Sequence, residues 1–412
     1  MGKKKILIIM LSLKTGGAKR SCVAFLRTLP KDKYDVDLML LSCEGVLLKQ
    51  VPAWVNIIPA PHTYACLDHR LKDWRFYIRH SPLLWIKKAL RIWKAKRHSD
   101  SSMNFVQRLY QQWRSNLPVL EKEYDVAISY LEGLCNYIVS EKVCANRKIL
   151  WVHNNYDDLG YFPAFDAEYF AKADVIATMS PGACVCLQRN FPDLSDHIWF
   201  IENITDAETV RNMSIQHIPE KGLIRFDGLR IVSCGRLVSQ KAYERAIEAA
   251  SLLQKRRIPF KWVIVGDGPE KKKLKHLKKR MGVNESLSLL GMRENPYPYM
   301  KWADMLVVTS NYEGRSMVID EAKILGIPVV TTNYATAVDA VEHEQTGLIC
   351  EMSPEAIANA IIRLYNDKLL YEHIRSKLLG TCYGNCEEIM KYIEAIEGCK
   401  IESIRNGLSL IK

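Results

Sequence analysis

Short apolar runs, separated by turn signals and helical stretches, recur along the whole chain. Lys5–Leu11 is the first run; Ser12–Lys19 (SLKTGGAK) and a helical pattern over Arg20–Leu29 follow it. The pattern predicts a strand, a glycine loop and a helix. A second strand, VDLMLLS, is opened by Asp35, Val36 and Asp37, and the alternation resumes at Asp125–Tyr130, Lys148–Val152, Asp174–Met179 and Ile198–Ile201. Polar residues from Glu202 to Asp227 break the pattern and read as an interdomain connection. A second series starts at Leu229, with strands near LRIVSC, KWVIVG, SLSLLG, MLVVTS and PVVTT, each separated by helical sequence. Two such series predict an α/β fold of two Rossmann-like domains, in keeping with a length of 412 residues.

Met305–Thr332 is the most informative stretch. Met305 begins a buried strand, Ser310–Arg315 is a loop, and Ser316 is the expected N-cap of a helix that Gly326 and Pro328 stop. The loop then lies at the carboxyl end of a parallel strand, with the amides of residues 316–318 facing the ligand crevice. Glu313 and Glu321 bracket that anion site, one before the helix and one about 7 Å along it. Carboxylates would repel phosphate, so the pair suits hydroxyls on either side of a diphosphate, as in a nucleotide sugar.

Composition adds a globular balance of 48% apolar and 25% charged residues, and no apolar run approaches the ~20 residues of a spanning helix. Met1–Leu13 has the basic start and apolar run of a short signal peptide, but a glycine turn follows rather than a small-residue cleavage site. Twelve cysteines lack a repeated spacing; neither Cys184/Cys186 nor Cys382/Cys386 has a matching second pair, so reduced thiols are expected rather than zinc. The net charge of +12 is concentrated: residues 68–114 hold twelve Lys or Arg against three Asp, and four of the nine tryptophans. Two readings of this segment stand. Mixed cations and tryptophans suit the interface of an anionic membrane, and they also suit a solvated basic helix pair whose tryptophans pack inward. No nucleic-acid recognition motif accompanies the charge.

Several candidate site residues sit at strand ends. Gly16 and Gly17 allow close approach of a ligand, or simply a tight turn. His153 ends one strand, in WVHNN, and faces either substrate or the core; Glu132, in YLEG, is a weaker candidate of the same kind. Arg236 and Lys241, five apart in GRLVSQK, can aim at one phosphate pair or stand as solvated charge. VGDGPE (265–270) is a glycine turn that lacks the third glycine of a dinucleotide fingerprint. Asp35 and Asp37 match an Asp-x-Asp metal site only superficially, since they open a strand.

In this order, Gly16-Gly17-Ala18, GRLVSQK, VGDGPE and the Glu313/Glu321 pair resemble the retaining glycosyltransferases of family 4, and Asn295–Gly314 resembles their bacterial capsule and exopolysaccharide members. The resemblance implies a GT-B fold: two facing Rossmann-like domains, a central cleft and a carboxyl-terminal helix crossing back. It sets an acceptor domain at 1–205 with the basic insertion at about 68–114, a nucleotide-sugar donor domain at 206–385, and the returning helix at 386–412.

Roles follow from the same resemblance. Arg236 and Lys241 are expected to neutralise the donor diphosphate without a metal or other cofactor, with Gly16, Gly17 and the amides of Met317 and Val318 packing against it. Gly314, Arg315 and Ser316 complete the donor loop. Glu321 is expected on the ribose, and Glu313 and His153 on the sugar. Two positions depart from the commoner pattern: Arg315 stands where an apolar residue is frequent, and Ala242 where a glycine often follows the loop lysine. The expected activity is that of a retaining, metal-independent hexosyltransferase, moving sugar from a UDP-sugar to a lipid-linked or saccharide acceptor. Its expected place is the cytoplasm, with peripheral membrane contact through residues 68–114 and no nucleic-acid partner. The alternative is an epimerase or a non-catalytic nucleotide-sugar-binding protein on the same fold.

Overall fold

The computed structural model describes residues 2–14, 16–69, 71–97, 103–313 and 316–399. They fall into two compact units, divided at Ile204/Thr205 and again at Cys386/Glu387. In the first, β1 (Lys4–Met10) leads to helix α1 (Gly17–Thr28) and is joined by β2 (Tyr34–Leu40), β3 (Asn56–Pro59), β4 (Leu120–Ser129), β5 (Val143–Val152), β6 (Val175–Thr178) and β7 (Ile198–Phe200). All pair in parallel, in the order β3-β2-β1-β4-β5-β6-β7. Side chains alternate across a strand, so one apolar run feeds two cores. Ile6, Ile8 and Met10 pack with Val126 and Trp151 on one face; Leu7 and Ile9 pack with Ala127 and Leu150 on the other.

The second unit repeats the scheme with β8 (Leu229–Cys234), β9 (Phe260–Val265), β10 (Leu287–Gly291), β11 (Met305–Val308), β12 (Val329–Thr332) and β13 (Gly347–Cys350), in the parallel order β10-β9-β8-β11-β12-β13. Each sheet reverses its strand order once, at β1/β4 and at β8/β11, and the crevice outside the carboxyl ends of such a pair is where open α/β sheets bind ligands. The edge strands β3 and β13, of four residues each, lie outside the runs that the apolar pattern predicts.

Residues 202–227 are not a plain connection. Ala207–Ser214, capped by Asp206, and Lys221–Ile224 are helices of the second unit, and Val210, Ile218 and Leu223 enter its core. Polar residues between these anchors mask a helical spacing. The helix Ile389–Glu397, in contrast, belongs to the first unit: Tyr392 stacks on Phe25 at 4.7 Å and Trp151 at 5.1 Å, and its hydroxyl lies 3.0 Å from that of Tyr130.

The basic segment follows α2 (His62–Asp68) and contributes α3 (Trp74–His80), α4 (Pro82–Arg97) and α5 (Phe105–Trp113). These helices divide the segment. α5 carries a capping box, with Asn104 accepting from the Val106 amide and Gln107 from that of Asn104, and it buries Leu109, Tyr110 and Trp113. α4 is turned the other way. Its Lys88 is buried, donating to the carbonyls of Cys66 and His69 at the end of α2, while Arg91 donates to the Gln112 carbonyl (2.8 Å) and lies over Trp113. Leu83, Ile86, Leu90 and Trp93, at the 3-4-3 spacing of one helical stripe, are exposed, as are Trp74, Ile78 and Trp85.

Ile396 is 1% exposed beneath the returning helix. Ile396→Ala should destabilise the first unit by about 2–4 kcal/mol, read from the urea midpoint at unchanged slope. A shift below about 1 kcal/mol would mean that the helix is dispensable to that core.

Candidate active site

In the second unit the β8/β11 reversal is fastened from above by two loops. From the β8 side, the Gln240 carbonyl accepts from the Asn311 amide (2.8 Å) and the Gln240 side chain donates to the Tyr312 carbonyl (3.0 Å). Asn311 Nδ2 donates to the Ser239 carbonyl (2.9 Å), Thr309 Oγ1 to that of Lys241 (2.8 Å), and Arg245 Nη1 to that of Thr309 (3.2 Å). This lacing brings Lys241 onto Glu313: they form an ion pair, and Ser310 Oγ donates to the same carboxylate oxygen. Glu313 is only 7% exposed and Lys241 18%. Arg236 stands apart, exposed, with no side-chain partner among the described residues.

The glycines of these loops serve backbone contact. A Cβ on Gly266 would lie 1.8 Å from the Gly235 carbonyl oxygen, and one on Gly268 2.4 Å from that of Leu237. VGDGPE thus lets the loop after β9 lie directly on the loop after β8, where Leu237 donates its amide to the Asp267 carbonyl (3.0 Å). Ala242 adopts φ 45 and ψ 47, the left-handed conformation for which glycine is the unstrained residue.

Glu321 lies in the second turn of the helix Met317–Ile324, buried, and accepts from Tyr297 Oη at 3.0 Å. Ser316 occupies the N-cap position, but its side chain makes no capping bond and its buried Oγ has no partner. Its backbone carbonyl still takes the Ile319 amide at 2.9 Å, so the helix starts as expected by a different bond. Met317 and Val318 form the first turn. Gly314 and Arg315 lie outside the described residues.

In the first unit, Gly16 precedes α1 with φ 144, and a Cβ there would meet nothing within 4 Å; Gly17 is the first helical residue. His153 follows β5, buried, with neither ring nitrogen hydrogen-bonded within ordinary geometry among the described residues. Its ring stacks on Trp151 (5.2 Å) and lies 5.4 Å from Tyr130. Burial pushes its pKa down to about 4 against the pull of Glu132, so the imidazole is neutral at pH 7 and keeps a donor and an acceptor to offer. Glu132 is occupied otherwise: it accepts from the His153 amide (3.0 Å) and from Asn154 Nδ2, strapping the end of β4 to that of β5. Asp37 is likewise structural. It takes Lys122 (2.6 Å), Tyr124 (2.7 Å) and Asn56 (2.7 Å), and although burial works against it these donors hold its carboxyl below the ordinary range.

Sequence reasoning missed Ser310, Gln240, Asn311 and Tyr297. All are ordinary loop or helix residues whose partners lie 3 to 72 positions away, and no local pattern encodes such pairing.

A histidine buried neutral favours the fold above the unfolded value of about 6.5, and that contribution is lost as pH falls toward the folded value. Between pH 6.5 and 4 it amounts to about 3 kcal/mol. Urea unfolding at pH 7, 6 and 5 should show this fall, and His153→Gln should flatten it; an unchanged slope in the variant would exclude His153 as its source.

Comparison with known proteins bears on family and fold. Residues 214–378, covering the loops just described, match the family model of glycosyl transferases group 1. A glycosyltransferase of Methanocaldococcus jannaschii is 26% identical over 267 residues, 62% of this chain and 62% of its own length. The Campylobacter jejuni N-acetylgalactosamine-N,N'-diacetylbacillosaminyl-diphospho-undecaprenol 4-alpha-N-acetylgalactosaminyltransferase is 28% identical over 213 residues, 52% of this chain and 56% of its own. The matched stretch thus spans less than two thirds of either relative. HepE of Anabaena, solved in complex with UDP-glucose, superposes with a TM-score of 0.65 at 17% identity, covering 96% of this chain and 100% of its own, and so shares the fold. The second unit thus carries a match to the group 1 glycosyl transferases, and the fold of the chain is GT-B.

Proposed function

We propose that the chain transfers a sugar from a UDP-sugar to a lipid-linked or saccharide acceptor in the synthesis of cell-surface polysaccharide or glycoconjugate, with retained anomeric configuration. The observation that carries this reading is the Lys241–Glu313 pair at the β8/β11 reversal. A diphosphate that draws Lys241 away leaves a nearly buried carboxylate short of a donor, which is strongly unfavourable. Sugar hydroxyls make up that loss, so carrier and sugar are recognised together. Arg236 and the amino terminus of the helix Met317–Ile324 add positive potential for the departing diphosphate, and in this reading no divalent metal is required. Glu321, held by Tyr297, suits the ribose hydroxyls. His153, Gly16 and Gly17 keep the donor-side roles that the resemblance implies.

Transfer then proceeds on one face of the sugar. The acceptor oxygen bonds to the anomeric carbon as the carbon–phosphate oxygen bond breaks, and the acceptor proton passes to the leaving phosphate oxygen. UDP is favoured as carrier by the UDP-glucose complex of HepE, and a lipid-linked acceptor by the name of the Campylobacter relative.

We propose further that the exposed stripe of α3 and α4 docks on an anionic membrane. Trp74, Trp85 and Trp93 suit the headgroup layer, Leu83, Ile86 and Leu90 the acyl boundary, and Lys87, Lys94 and Lys96 lipid phosphate. Among the described residues no helix is long and apolar enough to cross a membrane.

Lys241→Ala and Glu313→Gln should each lower sugar transfer at least ~100-fold with the thermal transition retained. Turnover near the parent value in either would overturn the site, and an epimer formed without acceptor would support the alternative activity. Vesicles containing anionic lipid should sediment the protein at low salt, and Leu90→Ser with Trp93→Ser should abolish this. No sedimentation, or a stripe-dependent dimer in light scattering, would remove the membrane assignment.

A further inference from the structure

The first unit contains a cavity of about 630 Å³, within the size range of small-molecule sites, beside the loops that follow β1 and β2. Its lining includes Lys14, Ser42, Asp68, Lys72, Trp74 and Arg75, none of which belongs to the donor residues above. We propose that this cavity holds the sugar-phosphate head of a lipid-linked acceptor, an inference that rests on the glycosyl-transfer reading.

Four observations carry it. Ser42 is 3% exposed, yet its Oγ has no hydrogen-bond partner among the described residues, and an unsatisfied buried hydroxyl is costly unless a ligand completes it. Asp68 is partly buried and makes no side-chain hydrogen bond or ion pair among the described residues. Burial pushes its carboxyl above the ordinary range, partly offset by Lys14, His69, Lys19 and Lys88. A carboxylate and a hydroxyl beside an aromatic plane, here Trp74, suit the hydroxyls and the apolar face of a sugar. Lys72 and Arg75 are exposed beside them, and Arg75 lies 5.5 Å from the Trp74 ring; Glu44 and Asp73 also line the cavity but face Lys14 (2.9 Å) and His69 (3.7 Å), so a phosphate attached to that sugar meets the Lys72 and Arg75 cations.

The fourth observation names the rest of the ligand. Trp74 is 58% exposed while lining the cavity, and it opens α3; Ile78, one turn on, is also exposed. Trp85 Nε1 donates to the Leu71 carbonyl at 3.0 Å, and Lys88 holds the carbonyls of Cys66 and His69. The cavity wall and the outward apolar stripe of α4 are therefore one fastened piece. A ligand that is polar at the cavity and hydrocarbon along the stripe is a glycosyl phospholipid rather than a free sugar.

The test uses the full chain and a panel of glucose, galactose, N-acetylglucosamine and N-acetylgalactosamine, each as 1-phosphate and as decyl diphosphate, with binding read by calorimetry and by tryptophan fluorescence. At least one sugar should bind tenfold or more tightly as its decyl diphosphate. Ser42→Ala with Asp68→Asn should weaken both forms at least tenfold, as should the surface pair Lys72→Ala with Arg75→Ala, which leaves the core untouched. Leu83→Ser with Leu90→Ser should weaken only the decyl form. Absence of saturable binding by every member, equal affinity with and without the chain, or parent-like affinity in both cavity variants would overturn the proposal. The thermal shift produced by UDP in the same samples reports the second unit alone: its loss would overturn the donor assignment, and its persistence beside absent glycosyl-phosphate binding would overturn this one.

Discussion

A carboxylate 7% exposed needs donors, and Glu313 has two: the Lys241 ammonium and the Ser310 hydroxyl. Neither is supplied by the helix that follows Glu313. Lys241 arrives from the loop after β8, 72 residues earlier, and only because that loop and the one after β11 are fastened by Thr309, Gln240, Asn311 and Arg245. The fastening in turn requires β8 and β11 to be neighbours, which is the point where the sheet reverses its order. A pair so placed is worth little as a stabiliser, because desolvation offsets most of its attraction. In the proposed reading its value is as an exchangeable set of donors, each partner being released to a ligand that supplies the missing charge or hydrogen bond.

Lys88 plays a comparable organising part in the first unit. A buried ammonium is expensive, and burial lowers its pKa against the pull of Cys66, Asp68 and Asp73. It is held by the carbonyls that end α2, where a cation also meets the negative end of the helix. Because Lys88 and Arg91 are turned inward, the opposite face of α4 is left with Leu83, Ile86, Leu90 and Trp93. An ordinary surface helix has the reverse arrangement. The inversion follows from what lies beneath: backbone carbonyls and the face of Trp113 attract cations more than they attract leucine.

The alternation of apolar runs and helices was enough to anticipate two parallel α/β units, since strands buried on both faces leave that mark on the sequence. The return of the last helix came from the family resemblance, while its helical character shows in CEEIMKYIEAI, whose apolar residues repeat at helical spacing. Less was legible where the information is not local. Val210, Ile218 and Leu223 anchor a segment that is polar on average, so 202–227 looked like a linker. The basic segment gave two readings because charge count cannot tell which face a lysine occupies; Trp113 turned inward, and Trp74, Trp85 and Trp93 outward. Glu132 looked like a ligand contact because it ends a strand, but the neighbouring strand's amide claimed it first. Ser316 looked like a cap because of its position, yet its hydroxyl bonds to nothing in the first turn.

The places where local rules fail are informative as a set. Ala242 holds a left-handed backbone at a cost of about 1–2 kcal/mol for a residue with a Cβ. His153 buries two ring nitrogens without partners, Ser42 buries a hydroxyl without one, and α4 shows water its apolar stripe. Between them they break three rules, of backbone conformation, polar satisfaction and patterning, so no single flaw in packing accounts for them. Each adjoins a feature described within its own unit: Ala242 follows Lys241, His153 ends β5, Ser42 lines the cavity of the first unit, and the stripe adjoins that cavity through Trp74. Costs of this kind persist where a ligand or surface completes the structure, and the strained backbone beside Lys241 lies on the same loop as the pair that a nucleotide sugar would separate.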